Sequence, residues 1–130
     1  MKIHKKHVSD IMHRGVVVCE SDLPASTAAR MMAAHRIHSV VVMSPAGVPR
    51  VVTDVEVAAS LYAGTLETTT TEEIARPAAL VRVPDTLAFA LERMHECEAT
   101  HAVVVERSFR PVGVISVLDL VEATLETTAG

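Results

Sequence analysis

The sequence predicts a mixed α/β fold made of two tandem β-α-β-β-α repeats. Two observations lead to this prediction. The second half of the chain matches the first half without gaps when it is shifted by 63 positions, and fixed-period self-similarity is the signature of a repeated structural unit. Each half also combines an apolar helical pattern with β-branched runs, which favour strands.

The matched positions are spread over the whole unit, so we interpret the pattern as a duplication. The first repeat covers residues 1–64 and the second covers residues 65–130. Matching residues include Asp22 with Asp85, Arg30 with Arg93, Met31 with Met94, His38 with His101, Val40–Val42 with Val103–Val105, and Val51–Thr53 with Val114–Ser116.

The elements follow in the same order in both repeats. Strands are predicted at 16–18, 40–42 and 50–53, then at 80–83, 103–105 and 112–116, with closing helices at 54–62 and 117–125. Asp22 and Asp85 are the expected N-caps of the helix after each first strand, and Thr70 with Glu73 forms an expected capping box. Because helices on one sheet face leave the other face apolar, we expect sheet-to-sheet packing with pseudo-two-fold symmetry.

Helical spacing gives the expected core face of the first helix in each repeat. In the second repeat this face is formed by Leu87, Leu91 and Met94. In the first repeat smaller side chains take the same role, namely Ala25, Ala28, Ala29 and Met32.

Composition narrows the functional classes. A net charge of -4 argues against a nucleic-acid partner, since such binding depends on Lys and Arg neutralising phosphates. No apolar run approaches the length of a membrane helix, no signal-peptide core is present, and two cysteines make no disulfide framework. We therefore expect a cytoplasmic protein without a membrane partner. Neither a four-ligand zinc pattern nor a catalytic motif is found, so we expect no metal site and no enzyme.

The residues resemble the cystathionine-β-synthase-type (CBS) domain pair. The stretch Gly113–Leu120 looks like the family signature of Gly, two aliphatics, Ser or Thr, two variable residues, Asp and an aliphatic. The segments Val8–Met12 and Thr100–Val105 are similar to the opening segment and the second strand of the family. The resemblance covers the chain from about Val8 to Leu125.

This resemblance implies a ribose site at Ser116 and Asp119, with Val114 of the signature beside them. An ionised carboxylate can accept from two ribose hydroxyls, and Ser116 adds a small donor and acceptor. Gly113 would let a ligand or a neighbouring strand approach the backbone. On the residues alone, Asp119 could instead be only a helix cap.

The first repeat departs from the signature, so a weaker second site is expected there. Thr53 is conventional, but Arg50 replaces the Gly and Glu56 replaces the Asp. By the resemblance, Ala75, Leu80 and Thr100 would complete this site.

The resemblance also implies that each pocket draws on both repeats. Met12, Val17 and Ile37 would form the adenine wall of the Ser116 and Asp119 site, although they suit a core equally well. His38 and His101, matched by the shift, would face the phosphates, because imidazoles can donate to phosphate oxygens. Each of them could otherwise be a strand-end residue bonded to backbone.

The expected function is therefore that of a regulatory or sensor module. It would bind an adenine nucleotide (AMP, ADP or ATP) or another adenosyl compound in the cleft between the repeats, with no required cofactor. The alternative is a CBS pair that binds no ligand and serves as an interaction or dimerisation module. The expected partners are the small-molecule nucleotide and a second copy of the chain, with an unidentified effector protein as a further candidate.

Overall fold

The computed structural model describes the backbone of residues 5–129 and the side chains of residues 5–125. This part of the chain contains two sheets and six α-helices, which confirms the predicted mixed α/β class. No helix in it is both long enough and apolar enough to cross a bilayer. The elements are α1 (Val8–Ile11), β1 (Val18–Glu20), α2 (Ala25–His35), β2 (Ser39–Met43), β3 (Pro49–Thr53), α3 (Asp54–Ala63), α4 (Thr71–Ile74), β4 (Arg76–Pro77), β5 (Ala79–Arg82), α5 (Leu87–Glu96), β6 (His101–Val105), β7 (Pro111–Ser116) and α6 (Val117–Ala129).

The chain forms two compact units. The first unit is Val17–Pro77, and the second unit joins Ala78–Gly130 to the segment Met1–Val16. The opening helix α1 thus belongs with the later strands, and α4 with β4 belongs with the earlier ones. The repeat boundary between residues 64 and 65 stays a prediction about the duplication. The compact units divide the chain differently, because each unit contains the opening segment of the other repeat.

The first unit contains a sheet in the order β1-β2-β3-β4. Strand β1 runs parallel to β2, while β2 and β3 form the predicted antiparallel hairpin. The short strand β4 was not predicted; it pairs with β3 through Arg76 opposite Val51. The core between sheet and helices consists of Cys19, Ala28, Met32, Val40, Val42, Val52 and Ala75.

The second unit contains a sheet in the order β5-β6-β7. Strand β5 is parallel to β6, and β6 and β7 form the second predicted hairpin. An isolated antiparallel bridge between His13 and Val114 takes the place that β4 has in the first unit. The core includes Val8, Met12, Ala79, Val81, Leu87, Ala90, Met94, Ala102, Val104, Ile115, Leu120 and Ala123.

The predicted helix caps are partly wrong. Helix α5 is capped by Thr86, whose Oγ1 accepts from the Phe89 N–H at 3.1 Å. The Asp85 carboxylate accepts from the backbone N–H of Arg82 at 2.7 Å, so it closes the turn before the helix instead. Helix α2 begins after Pro24 without a side-chain cap, so Asp22 is not its cap. The capping box of Thr70 with Glu73 is confirmed.

The predicted helix faces are also only partly right. In α5 the buried residues are Leu87, Ala90 and Met94, while Leu91 is 39% exposed. The observed spacing i, i+3, i+7 lies on one helix face just as the predicted spacing i, i+4, i+7 does. The packed core therefore takes the smaller Ala90 in place of Leu91. In α2 the structure buries Ala25, Ala28 and Met32 as expected, whereas Ala29 is only half-buried.

The uniform shift of 63 positions is wrong from β1 to the turn of the first hairpin, where the structural counterparts lie 62 positions apart. Arg36 and Glu98, which both adopt a left-handed conformation after their helices, are 62 positions apart. The Ile37 N–H donates to the Met32 carbonyl, and the Ala99 N–H donates likewise to that of Met94. The structural counterpart of His38 is therefore Thr100, and His38 and His101 do not occupy equivalent positions.

A β-bulge restores the original shift. Val104 pairs with Gly113 and Val105 pairs with Pro111, which leaves Val112 as an extra residue in β7. A bulge inserts one residue into one strand of an antiparallel pair. Residues after Val112 consequently match the first repeat at 63 positions, as the sequence comparison predicted for Ser116 and Asp119.

Candidate functional site

The signature residues meet where β7 ends and α6 begins. The Ser116 N–H donates to Asp119 Oδ2 at 2.7 Å, and the Asp119 N–H donates to Ser116 Oγ at 3.2 Å. This reciprocal pair is a capping box, which satisfies backbone donors that the first helical turn would leave unpaired. Asp119 therefore does cap its helix, and the same bonds fix the direction of its carboxylate.

The other carboxylate oxygen contacts a residue that the sequence did not predict for the site. His13 Nε2 lies 2.9 Å from Asp119 Oδ1, with side-chain exposures of 73% and 14% respectively. Two backbone bonds to Val114, both 3.1 Å, anchor His13 beside β7. The sequence did contain a signal for His13, because the shift of 63 positions matches it with another basic residue, Arg76.

His101 lies next to this junction. It begins β6 and is the direct partner of Ser116 in the antiparallel ladder. Its Nδ1 is 2.9 Å from Thr100 Oγ1. Because directly paired residues on adjacent strands have neighbouring side chains, His101, Ser116 and Asp119 form one polar group in the second unit.

Gly113 accommodates a side chain of the protein itself. A Cβ at this position would lie 2.9 Å from Met12 Sδ, closer than such atoms approach in proteins. Met12 is buried, so its thioether fills the space that the sequence interpretation left open for a ligand or a strand. The first repeat has Arg50 and Ala75 at the matching positions, which reverses the large and small partners.

The first unit has an equivalent junction at the end of β3. Glu56 Oε1 accepts from both the N–H and the Oγ1 of Thr53, each at 2.7 Å. Its other oxygen lies 3.5 Å from Arg76 Nη1, and the Glu56 side chain is 10% exposed. The weaker site of the sequence prediction is thus built like the stronger one, with Arg76 in place of His13.

The remaining predicted residues lie on other elements. In the first unit, Val17 and Ile37 pack against the core, and His38 Nδ1 lies 3.4 Å from Asp54 Oδ2 at the surface. In the second unit, Leu80 lies on β5 and Thr100 just before β6. The predicted grouping of Val17, Ile37 and His38 with Asp119, and of Leu80 and Thr100 with Glu56, stays a prediction.

The described chemistry suits hydrogen bonding to a polar ligand. Asp119 supplies a charged acceptor, Ser116 a hydroxyl and His101 an imidazole. Within residues 5–125, no cluster of three or more His, Cys, Asp or Glu side chains is arranged to hold a metal ion.

Comparison with known proteins matches both halves of the chain to the same domain family. The model of the CBS domain matches the chain twice, over residues 8–62 and 72–126. No curated protein matches the sequence.

Solved structures match nearly the whole chain. The CBS domain pair of protein MJ0100, in complex with 5′-methylthioadenosine and S-adenosyl-L-methionine, gives a TM-score of 0.79 at 18% identity, covering 94% of this chain and 98% of that one. The CBS domain protein PAE2072 from Pyrobaculum aerophilum, complexed with AMP, gives 0.77 at 22% identity, with coverages of 95% and 99%. Hypoxic Response Protein I, with two coordinated zinc ions, gives 0.71 at 23% identity, with coverages of 90% and 98%. At these identities the likeness shows the fold.

Proposed function

This chain belongs to the CBS domain family, and from that premise we propose that it is a regulatory module that binds an adenine nucleotide or another adenosyl ligand. The ribose would bind at Ser116 and Asp119 of the second unit. The module would signal through its ligand-bound state instead of catalysing a reaction.

The observation that supports this proposal is the geometry of the Asp119 carboxylate. Its Oδ2 is held by the Ser116 N–H at 2.7 Å, whereas its Oδ1 faces only the exposed imidazole of His13 among the polar contacts of the described side chains. An exposed imidazole on a surface side chain can rotate away at low cost. The carboxylate is therefore oriented in advance, and one edge can accept from a sugar hydroxyl.

The ligands of the similar structures support the adenosyl class. AMP in PAE2072, and 5′-methylthioadenosine with S-adenosyl-L-methionine in MJ0100, share an adenine base and a ribose but differ in charge at the 5′ position. The shared sugar is what an Asp119 carboxylate would recognise. His101, paired with Ser116, would then meet the 5′ substituent and contribute to the choice among ligands.

The test is a ligand panel on the purified chain. AMP, ADP, ATP, S-adenosylmethionine and 5′-methylthioadenosine are each added, and the melting temperature is measured, since a ligand bound only by the folded state raises it. Adenine and ribose 5-phosphate serve as fragment controls. A shift with at least one adenosyl compound is expected, and native mass spectrometry would identify a co-purified ligand. No shift and no measurable heat with any of them would refute the proposal.

A second candidate function is a ligand-free interaction module. Both Asp119 oxygens already have partners within the chain, so a structural role alone would account for them. Helix α6 also exposes apolar side chains at Leu118 (62%), Val121 (47%) and Leu125 (60%). Contiguous apolar surface of this kind marks interaction sites.

The same helix supports a homodimer. A two-fold interface needs only one self-complementary patch, and α6 presents an exposed apolar patch whose residues recur at helical spacing. Dimerisation is compatible with either candidate function, so the nucleotide panel discriminates between them and the oligomeric state does not.

A further inference from the structure

A second polar feature of the second unit lies at the opposite end of its sheet from Ser116. Here an open cleft of ≈ 640 Å³ is lined by Arg82 at the end of β5, Val83, Pro84, Val105 at the end of β6, and Glu106, Arg107 and Arg110 of the hairpin turn. His101 and Val105 stand at opposite ends of β6, about 13 Å apart at the usual rise of a strand. The cleft is therefore separate from the proposed ribose site.

Positive charge is concentrated in this cleft. Three arginines face one glutamate, within a chain whose net charge is -4. Arg110 pairs with Glu106, but within residues 5–125 no carboxylate lies within ion-pairing distance of the guanidinium group of Arg82 or Arg107. Like charges brought together without a counter-charge repel each other, so the arrangement suits an anion supplied from outside.

The first repeat shows that the fold does not require these arginines. At the structural shift of 62, Arg82 corresponds to Glu20, Arg107 to Pro45 and Arg110 to Val48. The equivalent hairpin forms the same backbone bond, from the Ser44 N–H to the Val48 carbonyl, as the Glu106 N–H does to that of Arg110.

The turn residue Phe109 departs from the first repeat in the same region. It adopts φ 60° where the first repeat has Gly47 at φ 80°. A bulky residue in this conformation is an outlier. The second hairpin turn therefore has an unfavourable backbone conformation at Phe109, which lies in sequence between Arg107 and Arg110.

The geometry points to this arginine cleft as a binding site for a small phosphate-bearing anion with two adjacent phosphoryl groups. Guanidinium groups bind phosphate oxygens in a bidentate manner, and two guanidinium groups, one at the end of β5 and one in the hairpin turn, match two phosphoryl groups. The cleft volume is in the range typical of small-molecule sites, about 300–1,000 Å³, which favours a compact anion over an extended acidic peptide.

The test is calorimetric titration of pyrophosphate into the full chain at fixed low salt. In the double variant Arg82→Gln, Arg107→Gln, we expect the affinity to fall by at least about tenfold, because charge-assisted bonds are lost. The matched control is Arg30→Gln, Arg93→Gln, which removes the same charge from two exposed ion pairs elsewhere; its affinity should change less than about twofold. Equal losses in both double variants, or no binding by the wild type at millimolar pyrophosphate, would overturn the proposal.

A second measurement does not depend on the variants folding. Amide chemical shifts of the wild-type protein are recorded with pyrophosphate, and we expect the largest changes at Arg107, Ser108 and Phe109, with little change at Ser116. The largest changes at Ser116 instead would overturn the assignment. Displacement of pyrophosphate by ATP in the Asp119→Asn variant would assign the site to the polyphosphate of a nucleotide, and persistence of pyrophosphate would assign it to the free anion.

Discussion

His13 Nε2 lies 2.9 Å from Asp119 Oδ1, and its repeat counterpart Arg76 contacts Glu56 at 3.5 Å. In both units the opening segment therefore places a basic side chain on the acidic residue that begins the closing helix. The duplication preserved the relationship but not the residues. An imidazole offers at most two N–H donors, whereas the planar guanidinium group offers five, so the two acidic residues differ in how readily a ligand can compete for them.

The first prediction concerns the unequal importance of the two acidic residues. Asp119→Asn should weaken the binding of AMP or ATP by about 2–3 kcal/mol, near a hundredfold, because a charged acceptor of ribose hydroxyls is lost. The matched change Glu56→Gln should have a much smaller effect on the dominant site. Calorimetric titration at one salt concentration measures both. Equal losses would contradict the asymmetry, and tight binding by the Asp119 variant would contradict the ribose role.

The second prediction concerns His13 as a competitor for the Asp119 carboxylate. His13→Ala should raise the affinity for AMP by about two- to fivefold, since a contact made by a largely exposed side chain is worth only a few tenths to 1 kcal/mol. Arg76→Ala, which frees Glu56 instead, is the control and should leave the affinity of the dominant site unchanged. The same titrations measure it. A clear loss of affinity in the His13 variant would mean that the imidazole contacts the ligand.

The sequence predicted the β-α-β-β-α order within each repeat, both hairpins and the residues at the β7 to α6 junction. These features follow from local patterns, namely β-branched runs, helical spacing and the signature itself. It also left open that Asp119 caps its helix, and the structure shows this cap as a capping box with Ser116, which depends only on residues three positions apart.

Features that depend on strand register or on contacts between distant residues could not be predicted from the sequence. The extra residue Val112 of the second repeat is compensated by one residue fewer before β5 than before β1. An ungapped comparison therefore looks correct while it pairs His38 with the wrong residue. Asp85 and Thr86 are both good N-caps, and only the turn bond to Arg82 decides between them. The contact between Gly113 and Met12 joins residues distant in sequence, and no local pattern reports it.

The third prediction concerns Cys19, a buried thiol of the first unit. Burial raises the pKa of the Cys19 thiol, with Glu20 adding to the effect and a bond to Thr71 opposing it. Native protein should therefore react with Ellman's reagent faster at half-buried Cys97 than at Cys19, and both should react when unfolded. Rapid native labelling of Cys19, mapped by peptide mass spectrometry, would contradict this.

The raised pKa of Cys19 also sets a direction for stability. Above about pH 8.5 the unfolded thiol ionises while the folded one keeps its proton, so the unfolded state binds fewer protons and stability falls as pH rises. Cys19→Ala should lose less stability than the wild type over this alkaline range, although it is less stable at neutral pH because of the lost packing. Urea unfolding at several pH values measures the difference, and parallel pH profiles would count against it.

The fourth prediction concerns self-association through α6. The wild type should sediment as a dimer at tens of micromolar, order of magnitude, because an interface of standard size holds at that concentration. Leu118→Lys should shift it toward monomer by placing a charge in the apolar patch. The matched control is Val48→Lys on the first hairpin turn, where the native side chain is 44% exposed. A wild-type monomer, or equal dissociation in both variants, would argue against α6 as the interface.

The last prediction tests the complementarity of Met12 and Gly113. Gly113→Ala should destabilise the protein by about 1–3 kcal/mol, because the new methyl group would lie 2.9 Å from Met12 Sδ and the packed core must yield. Met12→Ala alone should also destabilise, by about 2–5 kcal/mol, because it leaves a cavity. The double variant reproduces the small residue of the first repeat at position 75 and gives the new methyl group room. Its loss should therefore be smaller than the sum of the single losses, and urea denaturation of all four proteins measures that coupling. Additive losses would show that Met12 does not fix the identity of Gly113, and would restore the interpretation that the glycine serves an approaching ligand.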